Sequence, residues 1–205
     1  MSLKNQLRGD PLPWLLEADD PGPRYLALRD VVGLSNEDTE LKSARRRAYR
    51  EGPIAKVLFR MNPEGYWARA GTGYGPKYKS TVWALLLLAQ LGADINEDKR
   101  IKKACKYLVD QALTEGGQFS AMTNASPSGT VDCLQGNLLW SLMELGYNDP
   151  RLKSAYEWMA RTTTGEGVAP MKDKHAPVRY FGASADRTSP AARIINSPAP
   201  GAGAR

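Results

Sequence analysis

The sequence lacks the features of membrane, secreted and disulfide-stabilised proteins. Its longest apolar run, residues 82–89, is far too short to span a bilayer, so we expect no integral membrane segment. The N-terminus has no apolar stretch of the kind that a secretion signal needs, which predicts a cytoplasmic protein. Two cysteines, Cys105 and Cys133, cannot form a disulfide framework and are expected to be free thiols.

Motifs for binding phosphate or nucleic acid are also missing. There is no glycine-rich phosphate loop and no nucleic-acid motif with its aromatic signature. The net charge of +6 would attract an anionic partner, but acidic residues interrupt the basic runs. Glu40 and Glu51 flank the arginines at 45–47, and Asp98 precedes the lysines between 99 and 106. These patterns predict solvated helix faces and no nucleic-acid partner.

What the sequence does contain is apolar periodicity of the helical type. Apolar residues recur at i, i+3, i+4 and i+7 over residues 54–61, 101–108 and 152–159, with lysine and arginine opposite. Asn96 and the Asp149-Pro150 pair are predicted to start helices, and Gly92 and Gly146 to end them. No segment alternates with the period of a strand. The sequence therefore predicts an all-α fold.

The helical segments recur as pairs, about fifty residues apart. Residues 83–92 align with 137–146, and amphipathic segments follow at 100–112 and 151–161 before a glycine-containing turn. Residues 24–67 form a more divergent copy. A single pair cannot bury its apolar side alone, so neighbouring pairs must cover it. The pattern predicts buried inner helices and exposed outer helices in a partial α/α toroid or a solenoid.

The repeated residues resemble the prenyltransferase and squalene oxidase repeat of squalene-hopene cyclase, oxidosqualene cyclase and the protein prenyltransferases. That motif runs from a basic and a small residue through an aromatic and a glutamine to a Gly-x-Trp turn. Residues 103–111 and 116–119 follow this order with Phe119 in place of tryptophan; residues 154–167 follow it loosely, and residues 65–67 match the turn. The resemblance implies a toroid over roughly residues 20–180, in which the motif ties outer helices to neighbouring turns.

The resemblance also suggests an acid. Oxidosqualene cyclases open an inner helix with an Asp-Cys pair whose protonated aspartate starts the reaction, and Asp132-Cys133 stands at such a position, without the family's continuation. The alternative is that Thr130 and Asp132 cap the first turn of the helix. Protein prenyltransferases hold zinc with an aspartate, a cysteine and a histidine. Because Asp132 and Cys133 point differently along a helix and His175 lies in a polar loop, we expect no metal site and no cofactor.

Aromatic residues are the other candidates for a site. Trp83 and Trp140 lie on the predicted inner helices, where they line or fill the centre of a toroid. Tyr74 and Tyr78 lie in the loop before one inner helix, and Cys133 lies at the start of the next. We therefore predict that these five residues border a pocket for an apolar or isoprenoid small molecule.

The chain divides into an N-terminal extension (1–20), a helical-repeat domain (21–181) and a tail (182–205) whose composition predicts disorder or a shifted reading frame. The helix pairs are fewer than a complete cyclase barrel needs. Our first hypothesis is therefore a cyclase-like or prenyltransferase-like repeat protein that binds an apolar ligand without catalysing a reaction alone. The alternatives are a terpenoid cyclase or prenyltransferase (a partial chain or subunit) using Asp132 as general acid, and a scaffold for a protein partner.

Overall fold

A computed structural model describes residues 9–126 and 129–164 of the chain. The predicted N-terminal extension is therefore described only from residue 9 onwards. The predicted tail at 182–205, the glycines of the last closing turn at 165–167 and His175 lie outside the described residues.

Helices account for nearly all regular structure in the described ranges. The helices are α1 (Leu12–Leu15), α2 (Pro21–Leu26, continuing as a π-helical turn over Ala27–Val32), α3 (Thr39–Arg50), α4 (Pro53–Phe59), α5 (Thr81–Gln90), α6 (Lys99–Ala112), α7 (Asp132–Glu144) and α8 (Leu152–Thr164). Two isolated antiparallel bridges, Leu113 with Phe119 and Ser120 with Thr130, are the β pairing found there. The all-α prediction is confirmed.

The predicted helix ends are confirmed at two glycines. Gly92 and Gly146 follow α5 and α7 with left-handed φ angles of 71° and 75°, and Gly33 has a similar φ of 74° after the π-helical turn. The backbone N–H of the residue after Gly92 donates to a carbonyl in the last turn of α5 at 3.0 Å, and that of the residue after Gly146 does the same in α7 at 2.8 Å. These bonds satisfy carbonyls that a helix end leaves without an intrahelical donor.

The cap predicted for α6 is wrong, whereas the aspartate predicted before α8 accepts a backbone hydrogen bond although α8 itself begins two residues after Pro150, at Leu152. The residue that caps α6 is Asp98, not Asn96, because the Asp98 carboxylate accepts the backbone N–H of Arg100 at 2.9 Å. Asp149 does the same before α8, accepting from Arg151 at 3.0 Å. A charged carboxylate beside the first turn also meets the positive end of the helix dipole favourably, which an asparagine amide does less well.

The core lies between the helix pairs. α5 contacts α4, α6 and α7, and α7 in turn contacts α8. The apolar stripe predicted on α6 is buried, whereas the lysines of the opposite face are exposed. The exposed polar face and the buried apolar face of α6 are what an outer helix of a two-layer structure requires. Among the described residues, no helix combines the length and apolarity that crossing a bilayer demands.

Two closing turns have the same hydrogen bonds. In the first turn, the N–H of Asn62 donates to the carbonyl of Tyr66 at 2.7 Å, and in the second the N–H of Thr114 donates to the carbonyl of Gln118 at 2.8 Å. A glycine with positive φ lies inside each turn, at residue 65 (105°) and at residue 117 (89°). Each turn delivers a buried aromatic residue to the core, Trp67 or Phe119.

Candidate functional site: an aromatic cluster before α5

Three of the predicted pocket residues form one aromatic cluster at the N-terminal end of α5. The ring centroids of Tyr74 and Trp83 are 5.7 Å apart, and those of Tyr78 and Trp83 are 4.8 Å apart, both in tilted arrangements. The indole N–H of Trp83 donates to the carbonyl of Tyr74 at 2.9 Å, which ties the helix to the loop before it. Trp83 is thus the centre of the cluster.

Hydrogen bonds hold the loop that carries the two tyrosines. The Ser80 hydroxyl donates to the carbonyls of Gly73 and Pro76, at 2.7 and 3.0 Å. The Gly73 carbonyl also accepts the backbone N–H of Val82 at 3.0 Å, and Arg69 donates to the carbonyl of Gly75 at 3.1 Å. Because these bonds connect the two ends of the loop to the first turn of α5, the tyrosines are held in place against Trp83.

Tyr78 has an unusual combination of backbone and exposure. Its φ is +65°, a left-handed conformation that a bulky residue rarely adopts and that costs about 1–3 kcal/mol. Its side chain is 73 % exposed although the ring lies against Trp83. Strained residues of this kind concentrate at ligand contacts. The loop therefore places an aromatic ring at the surface at a cost in backbone energy.

The cluster carries one cation. The Lys77 ammonium lies 5.2 Å from the ring centroid of Tyr78 and 5.8 Å from that of Trp83, within the range of cation–π attraction. The stem of a lysine covers apolar surface while its charge stays in water. The result is an aromatic surface with a positive charge over two of its rings.

The two other predicted pocket residues lie on α7. Trp140 is 42 % exposed and Cys133 is exposed in the first turn. Within residues 9–126 and 129–164, no ring contact joins Trp140 to the aromatic cluster. Asp132 begins α7 as expected, but its side chain lies outside what the structure describes. The structure thus brings Tyr74, Tyr78 and Trp83 together, and Trp140 makes no ring contact with them in the described part of the chain.

Three pockets in the described part of the chain are lined by other residues. One of 390 Å³ lies beside Arg29 and Arg45, whose guanidinium groups both lie over the Tyr25 ring. One of 570 Å³ lies along the lysines of α6, and one of 380 Å³ lies between α6 and α8 near Arg151. The aromatic cluster is therefore a surface feature rather than the wall of one of these pockets.

The buried residue Gln135 was not predicted as important. Its amide oxygen accepts the N–H of Phe119 at 2.7 Å, and its amide nitrogen donates to the carbonyls of Phe119 and Val131, at 2.8 and 2.9 Å. Gln135 thereby fastens the second closing turn to α7. The signal in the sequence was a glutamine on a helix position that faces the core.

The buried cysteine, Cys105, lies in the apolar core, and the other, Cys133, is exposed. Burial raises the pKa of the Cys105 thiol to about 12, which keeps it neutral in the core. In the described ranges, no three side chains of His, Cys, Asp or Glu come together to hold a metal ion. The chemistry that the described residues support is binding through aromatic and cationic groups.

Comparison with known proteins assigns no relative to the chain. No protein-family model, curated protein or solved structure matches it.

Proposed function

We propose that the chain is a helical-repeat protein of the α/α toroid type, related to the terpenoid cyclases and protein prenyltransferases, that binds an apolar, isoprenoid-like ligand at the aromatic cluster before α5. In this proposal the chain does not catalyse a reaction alone. The observation that carries the proposed binding function is the exposed Tyr78 ring, held against Trp83 by a strained backbone.

The closing turns support the relation to the toroid family. A Cβ atom at Gly65 would lie 3.1 Å from the carbonyl oxygen of Lys103 on α6, and one at Gly117 would overlap the carbonyl oxygen of Ser154 on α8. Each turn therefore lies directly on the backbone of the following outer helix. The Tyr66 ring also lies 5.3 Å from the Tyr107 ring of α6. Ties between outer helices and neighbouring turns are what the family motif implies.

The starts of the outer helices support the repeat as well. Arg100 donates to its capping aspartate, Asp98, through Nε at 3.0 Å and Nη2 at 2.6 Å. Arg151 donates to Asp149 through the same two atoms, at 2.9 and 2.7 Å. At the starts of α6 and α8, an arginine thus donates two hydrogen bonds to the aspartate two residues before it, although the neighbouring residues differ between the two helices.

The aromatic composition of the cluster supports an apolar ligand. Exposed tyrosine and tryptophan rings supply large contact areas at small entropic cost and are enriched where binding energy is concentrated. A branched, unsaturated chain would cover the open face of Tyr78 and the part of Trp83 that is still accessible.

Calorimetric titration of the full chain with farnesol, a neutral isoprenoid, tests the proposal. Tyr78→Ala and Trp83→Ala should each weaken binding by about tenfold, because each removes an aromatic contact. Trp14→Ala removes an exposed tryptophan of α1 outside the cluster and serves as the matched control. Equal affinities for all three variants and the unchanged protein would disprove the assignment of the site.

The catalytic alternative has its own test. If Asp132 were a general acid, the unchanged protein would convert squalene-like or prenyl diphosphate substrates, and Asp132→Asn would abolish that conversion. Under the proposal made here, the unchanged protein shows no turnover of either substrate class. Turnover that Asp132→Asn removes would establish the enzyme alternative.

A further inference from the structure

A groove rich in lysine runs along the exposed side of α6. Its volume is 570 Å³, within the range of about 300–1,000 Å³ that is typical of binding pockets. Four lysines at i, i+3, i+4 and i+7 border it over roughly 10 Å of helix. Two apolar residues lie beneath them, one half-buried and one buried. The residues concerned are Lys99, Lys102, Lys103, Lys106, Ile95 and Tyr147.

Most of the positive charge in this groove is not neutralised. Lys106 pairs with Asp110 at 2.5 Å. The other three lysines form no ion pair or hydrogen bond within the described part of the chain.

The basic helix α3 differs. Glu37 pairs with Lys42 at 2.6 Å, Glu97 with Arg45 at 2.8 Å, and Glu51 with Arg47 at 3.0 Å. Three of the five cations of α3 are therefore paired with carboxylates, whereas Arg46 and Arg50 are not paired within the described residues; of the four lysines that border the groove, one is paired.

The lysines are not required by the packing of an outer helix. The four lysines of α6 stand one, four, five and eight residues after its capping aspartate. At the same four positions, α3 carries threonine, lysine, serine and arginine, and α8 carries proline, lysine, serine and glutamate. These residues are Thr39, Lys42, Ser43, Arg46, Pro150, Lys153, Ser154 and Glu157. Because two other helices pack without the four lysines, the packing of α6 does not require their charge.

We propose that the lysine groove is a docking site for an acidic peptide segment of a protein partner, with an apolar side chain of the segment inserted against Ile95 and Tyr147. The uncompensated positive charge is complementary to a run of carboxylates. Ile95 and Tyr147 form the apolar part of the groove lining, the apolar floor, with which the inserted side chain would make contact.

The composition of the groove argues against other anionic partners. Its cations are all lysines, which attract carboxylates and phosphates alike as point charges, so the other features of the groove must separate the two. A membrane surface would require apolar side chains that project beyond the cations, whereas here the apolar residues lie beneath them.

Fluorescence anisotropy of the full chain with a labelled peptide tests the docking site. The probe is a short peptide of glutamate and aspartate around one central leucine. The test variant combines Lys99→Glu, Lys102→Glu and Lys103→Glu. The control variant combines Arg46→Glu, Arg50→Glu and Lys56→Glu, which reverses exposed cations of α3 and α4 and changes the net charge equally. Circular dichroism verifies that both variants are folded.

We expect saturable binding that the test variant weakens by about tenfold or more and the control variant by less than about twofold. A peptide with serine in place of the leucine should bind several-fold more weakly, because it leaves the apolar floor unfilled.

Equal weakening by both triple variants would overturn the proposal, since it would reveal attraction to overall charge alone. It would also be overturned if the serine peptide bound equally well, or if duplex DNA or phosphatidylserine vesicles bound more tightly than the peptide with the same dependence on the three lysines.

Discussion

The helices α5 and α7 end alike but have very different surroundings. Ala89 and Met143 each stand three residues before the glycine that ends the helix, yet Ala89 is 5 % exposed and Met143 is 60 % exposed. Three residues further back, Leu86 is half-buried and Trp140 is 42 % exposed. The difference arises because α5 has α7 beside it, whereas the matching face of α7 has no described helix against it.

The helices α6 and α8 also differ in how deeply matching residues are buried. Cys105 and Tyr156 each stand seven residues after the capping aspartate. Cys105 is fully buried in α6, whereas Tyr156 is 39 % exposed in α8. Positions at the same distance from a capping aspartate or from a helix-ending glycine therefore share local structure without sharing burial. Capping is decided within a few residues of chain, but burial is decided by the neighbouring helix pair.

The largest expected effect concerns the two closing turns. Gly117→Ala should lower the free energy of unfolding by about 4 kcal/mol, because the new methyl group overlaps a backbone carbonyl of α8 and the φ of 89° is unfavourable. Gly65→Ala should cost about 2 kcal/mol, since its nearest contact is 3.1 Å. Urea unfolding followed by circular dichroism measures both. A larger loss for Gly65→Ala would contradict the tighter contact at α8.

An exchange of residues between equivalent positions tests the difference in burial directly. Ala89→Met should cost about 2 kcal/mol, because the longer side chain must enter the packed face between α5 and α7. Met143→Ala should change the free energy of unfolding by less than about 0.5 kcal/mol, because its side chain is mostly exposed. Urea unfolding midpoints compare the two. Similar losses for both substitutions would show that the exposed face of α7 is covered in solution.

The smallest expected effect concerns the helix caps, because Asp98 and Asp149 make the same hydrogen bond before α6 and α8. Asp98→Ala and Asp149→Ala should each cost about 1 kcal/mol at neutral pH, because each leaves backbone N–H groups of a first turn without an acceptor. Thermal unfolding of the two variants provides the measurement. If the loss of unfolding free energy in one variant were more than twice that in the other, α6 and α8 would not begin in equivalent ways.

The acid range gives the cap prediction a second test. A hydrogen bond from the Arg151 guanidinium holds the pKa of Asp149 well below its usual range, and Arg100 lowers that of Asp98. A carboxyl group with a lowered pKa stabilises the fold fully above its unfolded pKa of about 3.9, and this contribution is lost as the pH falls towards the folded value. The advantage of the unchanged protein over Asp149→Ala should therefore shrink below about pH 4. Asp149→Asn, which keeps an acceptor, serves as control.

The sequence predicted local structure well where the signal lies within one helix. The segment expected at 100–112 is α6 (Lys99–Ala112), and Asp132 begins α7 as expected. The cap of α6 was misplaced by two residues because Asn96 and Asp98 are both good capping residues. The bridging role of Gln135 was missed because it depends on a turn that is distant along the chain.

The candidate site was predicted only in part for the same reason. Trp83 and Trp140 looked alike as aromatic residues of inner helices. One lies in a cluster with Tyr74 and Tyr78, and the other is separate from it. The positive φ of Tyr78 could not be predicted, because propensity argues against it and only the hydrogen bonds of the surrounding loop maintain it.

By itself, the sequence determined the helical class, the glycine ends of α5 and α7 and the apolar stripe of α6, because each depends on contacts within a few turns. Only the tertiary structure decided which equivalent residues are buried and which aromatic residues meet. It also decided that three lysines of α6 have no acidic partner in the described part of the chain. Those outcomes depend on which helix or loop comes to lie alongside, and that is a property of the packed chain rather than of any one segment.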